Sequence, residues 1–269
     1  MRRFFRQPLD DVIACLEGLA DLRRPYVALS LTGVSLVATW FVYVPIHELL
    51  HAVGCVVTGG EVSRLEIAPQ YGAALLARWF PFVTPGGEYA GRLSGFDWKG
   101  SDLIYLATDI APFLLSILIG VPLLKVCMAR PRPLLLGAAI VVGLAPFYNV
   151  IGDYYEMASI LTTRLATVVA AGDGGIAFVH LRADDIFKLV GDLFNKPAEL
   201  GLDSPGRVAI GTAMIATSFA LGVWLAFATY ALGCGVASVI LRRRNDAEPR
   251  ASARAIIPRQ TSGRSPGTP

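Results

Sequence analysis

Charged residues are scarce in this sequence. They make up 17% of the 269 residues, whereas ordinary soluble domains carry about 25%. Together with a hydrophobic fraction of 54% and a mean hydropathy of +0.54, this scarcity excludes a typical soluble domain and indicates a polytopic membrane protein. The net charge is only +3 and the basic residues cluster at the predicted membrane edges, so nucleic-acid binding is not expected.

Cysteine and histidine are also few. The four cysteines are scattered and form no CxxC pair, which excludes a disulfide framework. The N-terminus lacks a short apolar core followed by a small-residue cleavage site, so no removable signal peptide is expected. The three histidines are His47, His51 and His180, and the first two stand four residues apart.

Those two histidines bound the pentapeptide HELLH at 47–51. Helical residues four apart lie on one face, so both imidazoles can bind one metal ion. Glu48 then lies beside them, where it can take a proton from water, and this HExxH pattern is typical of zinc sites. Because residues 25–46 carry no charge, the motif lies near the end of a predicted membrane helix. Ionisable residues there are costly and indicate function.

The hydrophobic pattern predicts an all-α polytopic membrane protein with about four transmembrane helices. A small β-hairpin of 61–67 and 73–83 is expected after the HExxH helix, and 91–100 is expected to be loop. The predicted spans are 26–57, 103–124, 134–151 and the last transmembrane helix at 207–244. The other divisions are an amphipathic surface helix at 1–24, a membrane core at 25–171, an extracytoplasmic loop with a short helix at 172–206, and a disordered basic tail at 245–269.

The distribution of lysine and arginine favours both termini inside, because most basic residues then lie in the inside segments. In this orientation the HELLH stretch and Asp153 lie near the outer ends of the first and third spans, at the same depth. Both segments can bind one metal ion only if they lie at the same depth in the membrane. The expected location is a bacterial inner membrane.

A catalytic zinc ion needs three protein ligands and one open position. Asp153 lies in a glycine-containing helix break at the right depth and is the preferred third ligand, although its carboxylate could instead cap the following helix. Asp109 in the second span and His180 in the outer loop are the alternatives. Asp109 and Glu156 are also candidates for orienting a metal ligand by hydrogen bonding.

Three features together resemble the site-2 protease family of intramembrane zinc metalloproteases: HELLH in a membrane helix, Gly-Gly at 59–60, and Asn-x-x-Gly-Asp at 149–153. The resemblance covers about residues 32–161 and implies a metalloprotease-like core at 25–171. The hairpin would offer an edge for strand pairing to a membrane-protein or peptide substrate. By this resemblance the zinc ligands would be His47, His51 and Asp153, the general base Glu48, and the substrate-binding residue Asn149.

One departure from the family motivates a second hypothesis. Asp153 is followed by Tyr154, where the family has glycine. The protein would then be a non-proteolytic, protease-like structural or regulatory subunit of a membrane complex. Its partners would be the lipid bilayer and other membrane-protein subunits, and stable co-purification without cleavage would favour this hypothesis.

Overall fold

The computed structural model describes residues 2–169, 181–183 and 185–255, and most of them are helical. The α-helices in these ranges are α1 (Arg2–Ala20), α2 (Pro25–Val57), α3 (Ala73–Leu76), α4 (Asp102–Ile110), α5 (Val121–Ala129), α6 (Pro133–Gly143), α7 (Ala145–Tyr148), α8 (Asp153–Val169), α9 (Ile186–Asn195) and α10 (Pro205–Ala255). The strands are β1 (Glu61–Ile67), β2 (Val83–Pro85) and β3 (Gly91–Asp97).

Three helical stretches in the described ranges are long and apolar enough to cross a membrane. They are α2, the continuous stretch Asp102–Ala129 and the part Pro205–Arg242 of α10. The predicted span at 134–151 is divided between α6 and α7, because the backbone leaves helical geometry at Leu144. Pro146, which has no N–H to donate, follows this break. The described part of the chain therefore contains three helices that could span a membrane, and α6 is a shorter apolar helix.

The strands form one sheet in the order β2-β1-β3. The hairpin predicted between 61–67 and 73–83 is wrong, because 73–76 is helical and β2 pairs parallel to β1. The antiparallel partner of β1 is β3, in the segment predicted to be loop. Gly72 has a φ of 78°, which ends any extended run. The four residues after it are alanine and leucine, which favour helix over strand.

The N-terminal helix forms as predicted, but it packs against the helical bundle along one face. Asp11 is buried, at 5% exposure, with its Oδ2 2.5 Å from Lys125 Nζ of α5. The Tyr230 hydroxyl of α10 donates to the same oxygen over 2.6 Å. The opposite face is exposed and apolar, with Leu9 and Ile13 among its residues. This helix is therefore tied to two other helices by a buried polar contact.

The C-terminal regions depart from the predicted boundaries in one respect. The short helix expected between 172 and 206 is α9. The last helix continues to Ala255, past the boundary predicted at 244, so the part of the tail up to that residue is helical. The rest of the predicted tail, 256–269, lies outside the described residues.

Close helix contacts bring the HELLH stretch to its neighbours. At Gly54 of α2, a Cβ atom would lie 2.5 Å from the Ala107 carbonyl oxygen of α4, so only glycine permits this approach. At Gly222 of α10, a Cβ atom would lie 2.9 Å from the Tyr154 carbonyl oxygen of α8. These contacts hold α2 against α4 and α8 against α10 at the level of the candidate site.

Candidate metal centre

Three side chains from two distant helices converge in the bundle. His47 and His51 lie on one face of α2 and are buried, with 5% and 7% exposure. Asp153, in the first turn of α8, points its Oδ2 at both rings, 3.1 Å from His47 Nε2 and 3.7 Å from His51 Nε2. The two Nε2 atoms are 3.2 Å apart. The preferred third ligand is therefore in contact with the histidine pair.

The spacing of these atoms fits a small tetrahedral cation. Two ligands bound at about 2.0–2.1 Å on a tetrahedral ion such as zinc are about 3.3 Å apart. The three observed separations of 3.1, 3.2 and 3.7 Å scatter around that value. Two nitrogens and one carboxylate oxygen also leave a fourth position open, as a catalytic site requires. The group can therefore hold a metal ion.

Neighbouring groups fix the orientation of both histidines. His51 Nδ1 donates to the backbone carbonyl of Thr108 over 2.9 Å, so its Nε2 lone pair faces the cluster. His47 Nδ1 lies 2.8 Å from the Tyr43 hydroxyl, one helical turn away. Phe113 packs edge-on against the His47 ring, with centroids 5.4 Å apart. His47 is therefore held by a polar contact and by packing, and His51 is held by its hydrogen bond to a carbonyl.

Glu48 lies between the histidines and the sheet. Gly91 of β3 packs directly on it, because a Cβ at this glycine would lie 2.2 Å from Glu48 Cγ and 2.5 Å from its Cδ. The strand backbone thus sets how far the carboxylate can swing away from α2. A side chain at position 91 would push the carboxylate from its place.

A cavity of about 450 Å³ opens beside the three donor atoms. Asn149 lines it and donates its side-chain amide to the Ala145 carbonyl over 3.0 Å. Asp109 and Glu156 line the same cavity but lie outside the three-donor cluster. Glu156 accepts a short hydrogen bond from the Tyr105 hydroxyl. Both carboxyls therefore lie at the space in which water or substrate would bind.

The rim of the cavity is tied down by charged contacts. Arg182 lines it and donates to Asp102 over 2.8 Å. Tyr89 donates its hydroxyl to Asp185 over 3.1 Å, which joins the segment before β3 to the start of α9. The pKa of Asp185 is lowered, chiefly by the backbone N–H of Lys188, and its carboxylate caps α9. These contacts connect the sheet, α4 and α9 around one opening.

The donor residues of the site were predicted from the sequence, but the residues that position them were not. His47, His51, Glu48, Asp153 and Asn149 come together at one cavity. The alternative ligand His180 lies outside the described residues. The residues that sequence reasoning missed are Tyr43, Gly91, Tyr105, Thr108 and Arg182. Of these, only Tyr43 could be predicted from the sequence, because it lies four residues before His47 and so shares its helix face.

Comparisons of the chain with protein-family models, curated proteins and solved structures found no match. The likeness to the site-2 protease family therefore stays a prediction from the motifs in the sequence.

Proposed function

We propose that this protein is a zinc metalloprotease that cleaves membrane-protein substrates within the membrane. The observation that carries the proposal is the convergence of His47, His51 and Asp153 beside Glu48 at an open cavity. Two imidazoles and one carboxylate with a free position are the ligand set of hydrolytic zinc sites. A purely structural zinc site would have four protein ligands and no cavity beside it.

The chemistry follows from the positions of the side chains. His47, His51 and Asp153 would hold the zinc ion, which would supply a Lewis acid for the scissile carbonyl and for the attacking water. Glu48, on the same helix as both histidines, accepts the proton from that water and later delivers it to the leaving amine nitrogen. Gly91 keeps the carboxylate on the cavity side during both transfers.

The sheet supports recognition of an unwound substrate. A membrane helix satisfies its own backbone hydrogen bonds, so a bond inside it becomes accessible only after local unwinding. In the sheet formed by the described strands, β3 is an edge strand, and it lines the cavity with five of its residues, 91–94 and Phe96. A substrate segment added to this edge would regain backbone hydrogen bonds beside the metal ligands. Asn149, at the same cavity, would hold the substrate backbone.

The finer assignments of topology belong to this proposal. The kinked pair α6 and α7 would make a fourth crossing, since together they supply an apolar segment close to the thickness of a bilayer. Both termini would then lie inside, in a bacterial inner membrane, with the substrate and the lipid bilayer as partners. Water would reach the metal from the outer face.

Metal removal tests the proposed activity directly. The full chain, purified and reconstituted in liposomes, would be incubated with single-span membrane peptides, and the products read by mass spectrometry. Cleavage should stop when a zinc chelator strips the protein and return when zinc is added back. Cleavage that persists after complete removal of metal would contradict the mechanism. Zinc binding without cleavage of any peptide would support the subunit hypothesis instead.

Gly91→Ala should impair cleavage without loss of zinc. The added methyl group would lie 2.5 Å from the Glu48 carboxyl carbon and would displace the carboxylate, since its three nearest atoms all belong to Glu48. Misplacing a catalytic group by about 1 Å can cost on the order of 100-fold in rate. The turnover rate and zinc content of this variant would be measured beside Asp97→Asn, a control at the far end of the same strand and outside the cavity lining. Equal rates in both variants would argue against the assigned role of the strand.

A further inference from the structure

The five residues 86–90, here called the strap, connect β2 to β3 and form part of the cavity rim. Within the strap, Tyr89 lines the cavity, is 40% exposed, and donates its hydroxyl to Asp185 Oδ2 over 3.1 Å. Asp185 stands at the start of α9, whereas the strap leads directly into the sheet. One hydrogen bond therefore joins the sheet to α9 at the rim of the cavity.

The α9 side of this contact is fixed independently of Tyr89. Asp185 uses its other carboxylate oxygen, Oδ1, to accept from the backbone N–H groups of Phe187 and Lys188 over 2.9 and 3.1 Å. These bonds cap the first turn of the helix. The buried Leu189 also packs this turn into a hydrophobic core cluster. Loss of the Tyr89 hydroxyl therefore leaves the start of α9 in place.

The strap side of the contact has a built-in hinge. Gly86 and Gly87 have φ angles of 135° and 112°, which residues with a side chain rarely adopt. Both ends of the strap are held to the sheet region, because the N–H of Gly86 donates to the Ile67 carbonyl and the carbonyl of Ala90 accepts from the N–H of Ala68, each over 3.0 Å. The part of the strap between these bonds can therefore swing while its ends stay attached.

The position of the strap bears on entry to the cavity. In the proposed function, a substrate segment pairs with the edge of β3. Tyr89 lies two residues before β3 and lines the same cavity as the buried His47 and His51. A segment paired along β3 would therefore pass Tyr89 at one end of the edge, where the hydrogen bond to Asp185 joins the sheet to α9. Entry at this end requires that bond to open.

We propose that the hydrogen bond between Tyr89 and Asp185 is a latch, which holds the strap closed over the cavity and opens to admit a substrate segment to the edge of β3. The identity of the admitted molecule rests on the proposed function. The opening itself does not, because it depends only on the latch and on the glycine hinge. The latch controls access to the cavity and takes no part in bond cleavage.

Two exposed positions allow the latch to be measured directly: Glu88 in the strap and Lys188 in α9. Spin labels on Glu88→Cys and Lys188→Cys report the distance between these elements in the full chain in detergent. Cys234 is replaced by serine in this background, because the other three cysteines are buried. With Tyr89 intact, one short distance should dominate. Tyr89→Phe removes only the hydroxyl, so a longer distance should appear and the ratio of closed to open strap should fall about 5-fold.

Tyr71→Phe is the matched control for this substitution. Its hydroxyl accepts from Trp40 over 3.2 Å, and Tyr71 lies outside the cavity lining, so the distance between the labels should not change. Thermal unfolding of both variants would verify that they are folded. An unchanged distance in folded Tyr89→Phe would overturn the latch, and so would an equal change in Tyr71→Phe.

The second readout is the rate at which a chelator removes zinc from the full chain. Tyr89→Phe should speed this removal about 5-fold, because the strap is open for a larger share of the time. Zinc affinity should keep its wild-type value, since the ligands are unchanged and opening speeds binding and release alike. Faster removal with unchanged affinity distinguishes the latch from a general loosening of the site, which would weaken binding.

The two readouts separate the latch from the proposed function. Wild-type removal rates in folded Tyr89→Phe would contradict control of access by the strap. A chain that binds no zinc or cleaves no peptide, but whose label distance lengthens in Tyr89→Phe alone, would contradict the proposed protease and support the latch.

Discussion

Glu48→Gln is expected to abolish most cleavage while zinc stays bound. Glutamine keeps the shape of the side chain that packs against Gly91, so the strand and the metal ligands stay in place. It cannot accept the proton of the attacking water, and loss of a general base typically costs about 10²- to 10⁴-fold in rate. The measurements are the turnover number in liposomes and the zinc content per chain.

The control for this substitution is Glu61→Gln, which makes the same chemical change on β1. Glu61 is exposed and forms a surface ion pair with Lys99 over 3.0 Å, so both cleavage and zinc content should match the wild type. Full cleavage by Glu48→Gln would remove its assignment as the general base. Loss of zinc from that variant would mean that the carboxylate is itself a ligand.

The parts of the site that the sequence predicts are those set by local geometry. Spacing of four residues puts His47 and His51 on one face whatever the rest of the chain does. Asp153 was found by a weaker argument, agreement in depth between two span ends. Thr108 and Gly91 could not be found, since their roles depend on how closely α4 and β3 approach α2. That approach is determined by Gly54 and by sheet pairing, which no local pattern encodes.

The fold shows the same division between local and long-range information. Long apolar runs in the sequence predicted the three described helices that are long enough to span a membrane. Burying that much apolar surface in lipid outweighs most local preferences for other secondary structure. The sheet was mispredicted because strand partners are chosen by tertiary contacts. Segment 91–97 contains two glycines and lacks a clear alternation of apolar and polar residues, yet it supplies the antiparallel partner of β1. The break at Leu144 was indicated only by the nearby proline.

Loss of a single ligand should empty the metal site. His47→Ala is expected to lower the zinc content from about one ion per chain to near none, because two donors cannot hold a tetrahedral ion at this site. Asp153→Ala should do the same, since this carboxylate is the one that completes the cluster in the described residues. The measurement is elemental analysis of protein purified in parallel, with thermal unfolding recorded in each case. Added zinc should raise the unfolding temperature of the wild type only, because binding stabilises the folded state by mass action.

The decisive comparison is between Asp153→Ala and Asp109→Asn. Both residues line the cavity, but only the first belongs to the donor group, so Asp109→Asn should keep its zinc. If Asp153→Ala keeps zinc and Asp109→Asn loses it, the third ligand comes from α4 and the metal joins α2 to a different helix. Zinc retained by both, and lost only when Glu156 or His180 is also replaced, would move the ligand to that residue. If zinc is lost only in His47→Ala, the histidine pair would be the only part of the proposed metal site that the experiment supports.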